Sequence, residues 1–528
     1  MSADRSRSGA FLVGAGILLS RIAGLVRQKI FAHYLSTSLA ADAFNAAFKI
    51  PNLLQNLFGE GVLSASFIPQ YAGLLARKDD READRLAGAV FTALALVASI
   101  LVLAGVLLAP LLVDLIAPGF TGERRDLTVT LTQIFFPGAG LLVFSAWCLG
   151  ILNSHRRFFV SYTAPVVWSL AMIVALLAFG GNTSQSQLAV IIAWASVAGS
   201  ALQFGIQLPL VLRLARGLHL NTDFKSTHAR GVFRNFIPAF FSRGVVQISA
   251  YVDAFIASWL PAGSVATLAY GQVLYTLPVS LFGMAVSAAE LPVMSSAMGT
   301  EAEIAQYLRG RLAGGLSRIA FFIIPSVVAF LAIGDMISAI LFESGRFTRE
   351  DTFWVWQVLA GSTVGLLAST WGRLYSSAFY ALRDTRTPLR FALIRVAFGS
   401  ALGVFAALLL PEMIGVDKRF GVAALTAASG LAAWLEFFLL RRAMTLRVGP
   451  AFVPSSHTLK LWLSAIVAAG IAWGVKLGLI ETRRPLMALA VVTTFAVAYL
   501  LLTAVMNVDE ALHITSRITS RFTRRRGA

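Results

Sequence analysis

The sequence has a single cysteine in 528 residues, Cys148, which lies in an apolar run. It therefore has no means of forming an internal disulfide or a cysteine-based metal cluster. Charged residues are also scarce, at 13% of the chain, whereas soluble domains carry about 25%. With 57% hydrophobic residues and a mean hydropathy of +0.75, the composition excludes an ordinary soluble protein. It predicts an all-α polytopic membrane protein.

Acidic residues are few beside basic ones: 26 Asp and Glu face 44 Lys and Arg, for a formal net charge of +18. In a soluble protein this excess would suggest a nucleic-acid partner. In a membrane protein it is the expected result of basic cytoplasmic loops, so no nucleic-acid partner is predicted. No small-residue cleavage site follows the first apolar stretch, which predicts an uncleaved first helix rather than a signal peptide.

Apolar windows of about twenty residues predict the transmembrane helices. They lie at roughly 9–36, 41–75, 86–118, 127–153, 157–181, 187–214, 231–260, 265–297, 312–343, 353–381, 387–411, 420–444, 459–479 and 485–506. With the N-terminus inside, most Lys and Arg between the windows fall on the cytoplasmic side. We therefore predict about 14 transmembrane helices, with both termini in the cytoplasm.

The chain also shows signs of an internal duplication. LLSRIAG at 18–24 in the first helix resembles FFSRGVV at 240–246 in the seventh, and a helix with a mid-span proline follows each. Six helices per copy predict two parallel repeats around a central cavity, which is the expected binding site. The predicted segments are 1–220 and 221–446 for the two repeats, 447–510 for two additional helices, and 511–528 for a basic cytoplasmic tail.

Nine Lys and Arg residues fall inside the predicted spans, where one cation costs about 2.5–3.5 kcal/mol on insertion scales. They are Arg21, Arg27, Lys29, Lys49, Arg243, Arg318, Arg373, Arg395 and Lys476. Several lie near helix ends and can extend to the interface. The deeper ones are predicted to line a solvated cavity and to bind an anion. These are Arg21, Arg27, Lys49 and Arg243.

The second helix carries six polar residues on one face. At about 100° per residue they form a narrow stripe on an otherwise apolar helix. They are Asp42, Asn45, Lys49, Asn52, Asn56 and Glu60. The stripe predicts a cavity wall; the alternative is hydrogen bonding between helices, for which one or two polar residues suffice. A milder polar face in the eighth helix begins at Gln272.

Four stretches, in order along the chain, carry a family resemblance. They are SRIAGLVRQKIFA at 20–32, ADAFNAAFKIPNLLQNLFGEGVLSASFIP at 41–69, GRFT at 345–348 and FYALRDTRTPLRFA at 379–392. Together they resemble the MurJ (MviN) family of lipid II flippases, part of a superfamily that includes multidrug and polysaccharide exporters. The resemblance implies a transporter rather than an enzyme. Its implied substrate is the undecaprenyl-diphosphate-linked peptidoglycan precursor, moved from the inner to the outer leaflet of the bacterial inner membrane for cell-wall biogenesis and cell shape.

The resemblance implies roles for individual positions. Arg21 and Arg27 match the cavity arginines of the family's first helix. Asp42 matches the acidic residue that opens its second helix, and Glu60 matches a later one. The two helices beyond twelve are implied to form a groove for the long lipid tail.

Three positions depart from the family pattern. Where the family commonly has arginines after the PNLL element, this chain has Gln55 and Asn56, and an arginine of the eighth helix is replaced by Val273. Arg243, on the seventh helix, is predicted to supply the missing charge. The complete predicted substrate-binding set is Arg21, Arg27, Asp42, Lys49, Asn52, Asn56, Glu60, Arg243 and Gln272.

The missing arginines keep an alternative substrate open, namely another lipid-linked oligosaccharide such as an O-antigen or exopolysaccharide unit. A drug/cation antiporter fits less well, because its cavity should favour acids. An enzyme acting on polyprenyl diphosphates would need clustered carboxylates for a metal. The only dense acidic run, at 79–84, is interleaved with Arg in a loop and reads as solvated charge.

No cofactor is predicted. The predicted driving force is the membrane potential, which supplies about 2.3 kcal/mol per charge per 100 mV, or a monovalent cation bound at Asp253 and Asp384. The alternative for those two aspartates is ordinary ion pairing near helix ends. The expected partners are the lipid-linked anionic precursor, the membrane, and other cell-wall synthesis proteins.

Overall fold

The computed structural model describes residues 2–58, 60–224, 226–479, 484–513 and 516. Side chains are described for residues 15–58, 62–64, 66–224, 226–236, 251–479, 484–513 and 516. Over the described residues the chain is helical and contains no strand. The predicted all-α class is confirmed. Its physical cause is that helices satisfy their own backbone hydrogen bonds, which lipid cannot do.

The residues form two compact units. Unit 1 comprises Met1–Ala266 and Ser344–Phe347, and unit 2 comprises Thr267–Glu343 and Thr348–Ala528. The predicted repeats divide the chain earlier, between 220 and 221. Compactness and internal repetition are different properties, so the predicted domain boundaries stay a prediction.

Unit 1 is built from nine helices and the start of a tenth, counted over the described residues. They are α1 (Ser2–Leu35), α2 (Leu39–Phe58), α3 (Glu60–Ala76), α4 (Asp80–Leu107), α5 (Ala109–Ile116), α6 (Gly122–Ser154), α7 (Phe158–Phe179), α8 (Gln185–Leu214), α9 (Thr227–Ala257) and α10 (Ser264–Pro278).

Unit 2 continues from α10 through a π-helical turn at Val279–Met284. Its further helices are α11 (Ala285–Ser295), α12 (Glu301–Phe342), α13 (Arg349–Ala381), α14 (Arg386–Val404), α15 (Leu410–Ile414), α16 (Phe420–Val448), α17 (Ser455–Gly478) and α18 (Arg484–Val505). A second π-helical turn, Phe405–Leu409, joins α14 to α15.

Ten helical segments in the described part of the chain are long and apolar enough to cross a bilayer. They are Asp80–Leu107, Gly122–Ser154, Phe158–Phe179, Gln185–Leu214, Ser264–Ser295, Glu301–Phe342, Arg386–Ile414, Phe420–Val448, Ser455–Gly478 and Arg484–Val505. Every predicted window coincides with helix, but α1, α2–α3, α9 and α13 are outside the ten. A criterion of length and hydropathy disfavours a helix with a polar stripe such as α2. The total of fourteen spans stays a prediction.

Large aromatic side chains form the core of unit 1 where α3, α4 and α6 pack. Phe67, Tyr71 and Trp147 are fully buried there. The indole Nε1 of Trp147 donates a hydrogen bond of 3.2 Å to the carbonyl oxygen of Ala87. Because the indole N–H has this acceptor, the largest buried side chain of the unit leaves no unsatisfied donor in the core.

Small residues allow close helix packing in unit 2. A Cβ atom added at Gly365 on α13 would collide with the backbone of Gly430 on α16, and the reverse substitution would collide likewise. Helices in a membrane gain stability from such close approach because lipid provides no hydrophobic drive between them.

The two C-terminal helices are fixed to α12 by polar contacts. Lys476 Nζ on α17 lies 2.7 Å from Asp335 Oδ2, and Tyr499 on α18 donates a 2.7 Å hydrogen bond to the carbonyl of Phe321. Arg484, at the start of α18, lies 3.3 Å from a carboxylate oxygen of Glu343. Lys476, one of the nine cations predicted inside the spans, is therefore one half of an ion pair.

We expect Lys476→Met to destabilise the protein by about 3 kcal/mol, because it leaves Asp335 largely buried without its cation. Lys476→Met combined with Asp335→Leu should recover most of that loss. The measurement is the apparent melting temperature in detergent. Lys418→Met is the matched control: its partner Glu412 is 56% exposed and Lys418 is 62% exposed, so that pair contributes about 0–1 kcal/mol. Equal losses from both lysine variants would contradict the prediction.

Candidate functional site

Arg27 on α1 holds an enclosed positive charge. Its guanidinium carbon lies 4.3 Å above the ring centroid of Trp168 on α7, and Nη1 lies 3.9 Å from the sulfur of Met172. The side chain is partly accessible, yet protein atoms surround the guanidinium. No carboxylate among the described side chains pairs with it. The ring face and the thioether replace little of the hydration that the guanidinium loses, so Arg27 is a candidate for binding an anion.

Aromatic rings fix the platform beneath Arg27. Trp168 stacks with Phe48 of α2, with ring centroids 5.8 Å apart, and its Nε1 donates a 3.1 Å hydrogen bond to Ser196 Oγ on α8. Phe48 also meets Phe135 of α6 edge to face at 5.4 Å. Residues of α2, α6 and α8 therefore help to fix the indole of α7 on which Arg27 lies.

The remaining cations predicted in unit 1 have different surroundings. Arg21 is exposed on α1, and Lys49 is partly accessible on α2. Asp253 on α9 lies close enough to attract Lys49 electrostatically. The hydroxyl of Tyr251 donates a 2.8 Å hydrogen bond to the backbone carbonyl of Lys49. Tyr251 and Asp253 thus face the middle of the polar stripe from α9.

The other stripe residues differ in accessibility. Asn52 and Asn56 are half-buried, and Asn45 donates through Nδ2 to the carbonyl of Ala41 at 2.8 Å. The predicted side-chain roles of Glu60 and Arg243 fall on residues outside those whose side chains are described. Their membership in the site stays a prediction.

Asp42 is placed differently from the rest of the stripe, because it is fully buried. Its Oδ2 accepts hydrogen bonds from the amide of Gly263 at 2.7 Å and from Arg124 Nη1 at 3.3 Å. Its Oδ1 accepts from the amide of Ala266 at 2.7 Å. The Gly263 amide immediately precedes α10, and the Ala266 amide belongs to its first turn, where backbone donors lack helical partners and a negative charge is favoured. Asp42 therefore caps α10, and we call Asp42, Arg124, Gly263 and Ala266 the Asp42 latch.

Arg124, at the start of α6, connects this latch to the neighbouring loops. Its Nη2 donates to the carbonyls of Gly119 at 3.1 Å and Ser258 at 3.3 Å, and its guanidinium lies 4.1 Å above the ring of Phe120. Sequence reasoning placed Arg124 in a loop and gave it no role. In the sequence, Arg124 is distinguished only by being a charged residue beside a glycine-containing turn. That feature does not indicate that Asp42 is its partner.

A glycine is required at one position of the latch. Gly263 has φ +92°, a conformation that side chains other than glycine rarely adopt, and an added Cβ would collide with the backbone carbonyl of Thr37. Near the same end of unit 1, the amide of Arg346 donates a 2.8 Å hydrogen bond to the carbonyl of His33. The loop after α1, the loop before α6, the loop before α10 and the segment Ser344–Phe347 therefore close this end of the unit.

The family model described as lipid II flippase MurJ matches residues 31–508 of the chain. The chain belongs to the MurJ family. A probable lipid II flippase MurJ of Rhizobium tropici is 32% identical over 80% of this chain and 78% of its own. The lipid II flippase MurJ of Burkholderia cenocepacia is 30% identical over 87% of each chain. The resemblance seen in the sequence is confirmed.

Solved structures share the fold. A structure of lipid II flippase MurJ in an inward closed conformation aligns with a TM-score of 0.75 at 24% identity, over 94% of this chain and 98% of that one. An inward-facing multidrug transporter of the MATE family aligns with a TM-score of 0.64 at 18% identity, over 81% and 95%. The chain thus shares the fold of these two proteins.

Two residues with predicted roles in this MurJ family member lie in unit 2: Gln272, predicted to bind substrate, and Asp384, predicted to bind a coupling cation. Gln272 is exposed on α10, and Val273 beside it is half-buried. Asp384 lies in the turn before α14, where the amides of Arg386 and Thr387 donate to it at 3.1 and 3.0 Å. The Thr387 amide lowers the pKa of Asp384, and the Thr387 hydroxyl and Arg447 at 2.6 Å add to the effect.

A coupling cation at Asp253 and Asp384 stays a prediction. In the described part of this MurJ chain, neither aspartate belongs to a group of three acidic, histidine or cysteine side chains. The oxygens of Asp384 already accept hydrogen bonds from backbone, hydroxyl and guanidinium donors. Its surroundings match the alternative drawn from the sequence, an ion-pair partner near a helix end.

A shallow apolar groove of about 600 Å³ runs along α18. It is lined by Leu486, Leu489, Ala490, Thr493, Thr494, Val497, Ala498 and Leu501. A lining of methyl and methylene groups suits a hydrocarbon chain. The groove lies on one of the two helices that the MurJ resemblance associates with the lipid tail.

Proposed function

We propose that this protein translocates lipid II from the inner to the outer leaflet of the bacterial inner membrane by alternating access. Family membership supports the substrate and the direction. The observation that carries the proposal is Arg27: an enclosed guanidinium without an acidic partner among the described side chains. In the empty protein, the desolvated guanidinium costs free energy, and an anionic headgroup bound beside it offsets that cost by pairing with the charge.

The headgroup chemistry fits the residues around Arg27. A diphosphate needs several charge-assisted donors, and the planar fork of arginine suits phosphate oxygens. We assign Arg27 and Arg21 to the diphosphate, and Lys49 adds positive electrostatic potential that favours the anionic headgroup. Asn52 and Asn56 then offer neutral hydrogen-bonding groups to the sugar and peptide portions. The groove on α18 is proposed to hold the polyprenyl tail.

Asp42 is proposed to act on the conformational change instead of touching substrate. With both termini in the cytoplasm, the end closed by the Asp42 latch faces the outside. The latch must open for the headgroup to leave in that direction. Ligand binding shifts such an equilibrium only by its differential affinity for the two states, so headgroup contacts must be stronger in one state than in the other.

The proposed driving force is the membrane potential, because an inside-negative potential favours outward movement of an anion. A monovalent cation at Asp253 and Asp384 is the alternative. Arg243 is proposed to bring a cation from α9 in place of the arginine absent at Val273. Other cell-wall synthesis proteins are proposed as partners.

The test is mass spectrometry of the lipids that accumulate when the protein is depleted from its host. Lipid II is expected to accumulate, and expression of the wild-type chain should reverse the accumulation. A transport-inactive variant such as Arg27→Ala, expressed at the same level, should not reverse it. Accumulation of a different lipid-linked glycan would instead identify the substrate as an O-antigen or exopolysaccharide unit.

A further inference from the structure

In unit 2 a single buried carboxylate holds two arginines. Glu290 on α11 is 2% exposed. Its Oε2 lies 2.6 Å from Nη2 of Arg311 and accepts from Nε of the same side chain at 2.8 Å, while Oε1 accepts from Nη1 of Arg318 at 3.2 Å. The cluster therefore carries two positive charges and one negative charge.

Both guanidiniums retain donors that no described residue accepts. Arg311 uses Nε and Nη2, which leaves Nη1, and Arg318 uses Nη1, which leaves Nε and Nη2. The two side chains are 34% and 54% exposed, whereas Glu290 is not. Glu290 thus orients two arginine forks whose remaining N–H groups face outward, and such forks match the oxygens of a phosphate.

The position of the cluster along α12 is that of a membrane boundary. Arg318 directly precedes residues 319–342, an apolar run interrupted by one charged residue, Asp335. At 1.5 Å per residue this run of about 24 residues spans about 36 Å, close to the thickness of the hydrocarbon core. Arg318 therefore lies at headgroup level, on the side that the loop charges predict to be cytoplasmic.

An apolar surface adjoins the cluster on its membrane side. Phe322, one turn beyond Arg318, stacks face to face with Phe282 at 4.2 Å. Nearby Leu281 and Met284 are 58% and 46% exposed. A ligand that has both a phosphate and a hydrocarbon chain could bind here, with the phosphate at the two arginines and the chain along the apolar surface.

We propose that Glu290, Arg311 and Arg318 form a binding site for the phosphate of an anionic phospholipid in the leaflet at this end of the protein. The cytoplasmic leaflet contains anionic lipids, which give it its negative surface potential. The site uses residues of unit 2 and none of the headgroup residues proposed in unit 1, and its existence does not depend on which glycolipid is transported.

The test is native mass spectrometry of the purified full-length protein titrated with phosphatidylglycerol and, in a separate series, with undecaprenyl diphosphate. Glu290→Gln, Arg311→Gln and Arg318→Gln are combined so that no buried carboxylate is left without its cations. Binding of phosphatidylglycerol should weaken about tenfold, the loss of roughly one charge-assisted hydrogen bond. Arg390→Gln is the matched control, since Arg390 is exposed on α14 and its removal lowers the net charge by the same single unit. The control should bind as the wild type does.

Three results would overturn the proposal: unchanged binding in the triple variant, an equal loss in the Arg390 control, or a loss confined to undecaprenyl diphosphate. The last would assign the cluster to the transported lipid. If the triple variant fails to fold, Arg311→Lys with Arg318→Lys retains the charges and removes the planar forks. That variant should bind about threefold more weakly, and wild-type affinity in it would equally overturn the proposal.

Discussion

Arg27→Met is expected to abolish lipid II translocation while leaving the empty protein at least as stable as the wild type. The guanidinium has no carboxylate partner among the described side chains. Replacing an enclosed charge with an apolar group of similar length therefore removes a desolvation cost. The same change removes one or two charge-assisted hydrogen bonds to the headgroup diphosphate. At about 1.5–3 kcal/mol each, that weakens binding about 10- to 100-fold or more.

Two measurements on the same purified variant separate these effects. One is the rate of lipid II flipping in proteoliposomes, and the other is the apparent melting temperature in detergent without substrate. Arg27→Lys should keep part of the activity, because it retains the charge and loses the fork. Arg85→Met is the matched control, since Arg85 is 65% exposed at the start of α4. A marked fall in the melting temperature of Arg27→Met would assign Arg27 a structural role instead.

Asp42→Asn is expected to open the closed end of unit 1. The carboxylate accepts from two amides and one guanidinium, whereas an asparagine side chain presents one acceptor and one donor. The donor would then face an amide N–H, and Arg124 would lose its counter-ion. Removing one partner of a buried ion pair costs about 3–5 kcal/mol. This corresponds to at least a 100-fold shift of the equilibrium between the latched and the open arrangement, toward the open one.

This shift can be measured by cysteine labelling, because the chain has only one native cysteine to remove, the buried Cys148. In a Cys148→Ser background, Ser264→Cys places a reporter beside the latch, where the native serine is 4% exposed. The rate at which maleimide labels this reporter measures the opening. Labelling should accelerate in Asp42→Asn. Asp114→Asn is the matched control, because that aspartate is 50% exposed in its pair with Arg125. Slow labelling in Asp42→Asn, equal to that of the parent, would show that the latch does not hold this end closed.

The polar stripe of α2 shows how far sequence reasoning reached into the site. Helical periodicity correctly grouped Asp42 and Lys49 on one face, because the angle between two residues follows from their spacing alone. Periodicity says nothing about what lies opposite that face. Asp42 meets the first turn of α10 and is sealed from solvent, whereas Lys49 meets Tyr251 and Asp253 on α9. One stripe therefore contains a latch residue and a residue beside a polar surface.

The cations predicted inside the spans divide in the same way. Because a cation is costly in lipid, each of them was expected to have a compensating environment. The sequence could not say whether that environment is an acidic partner, the membrane interface or a solvated cavity. Lys476 and Arg318 are compensated by Asp335 and Glu290. Arg27 lies on an indole and has no acidic partner among the described side chains, which separates it from the structural ion pairs and is the basis on which we propose it as a binding residue.

The sequence by itself determined that this protein resides in a lipid bilayer, that it is helical, and which family it belongs to. Scarce charge and long apolar runs require lipid, lipid requires helices, and four stretches along the chain carry the MurJ pattern. Only the tertiary structure decided which polar residues meet. The partners of Asp42 lie 82, 221 and 224 residues away, and Trp168, beneath Arg27, comes from a different helix. Contacts at such separations depend on how whole helices pack, and local periodicity carries no record of that packing.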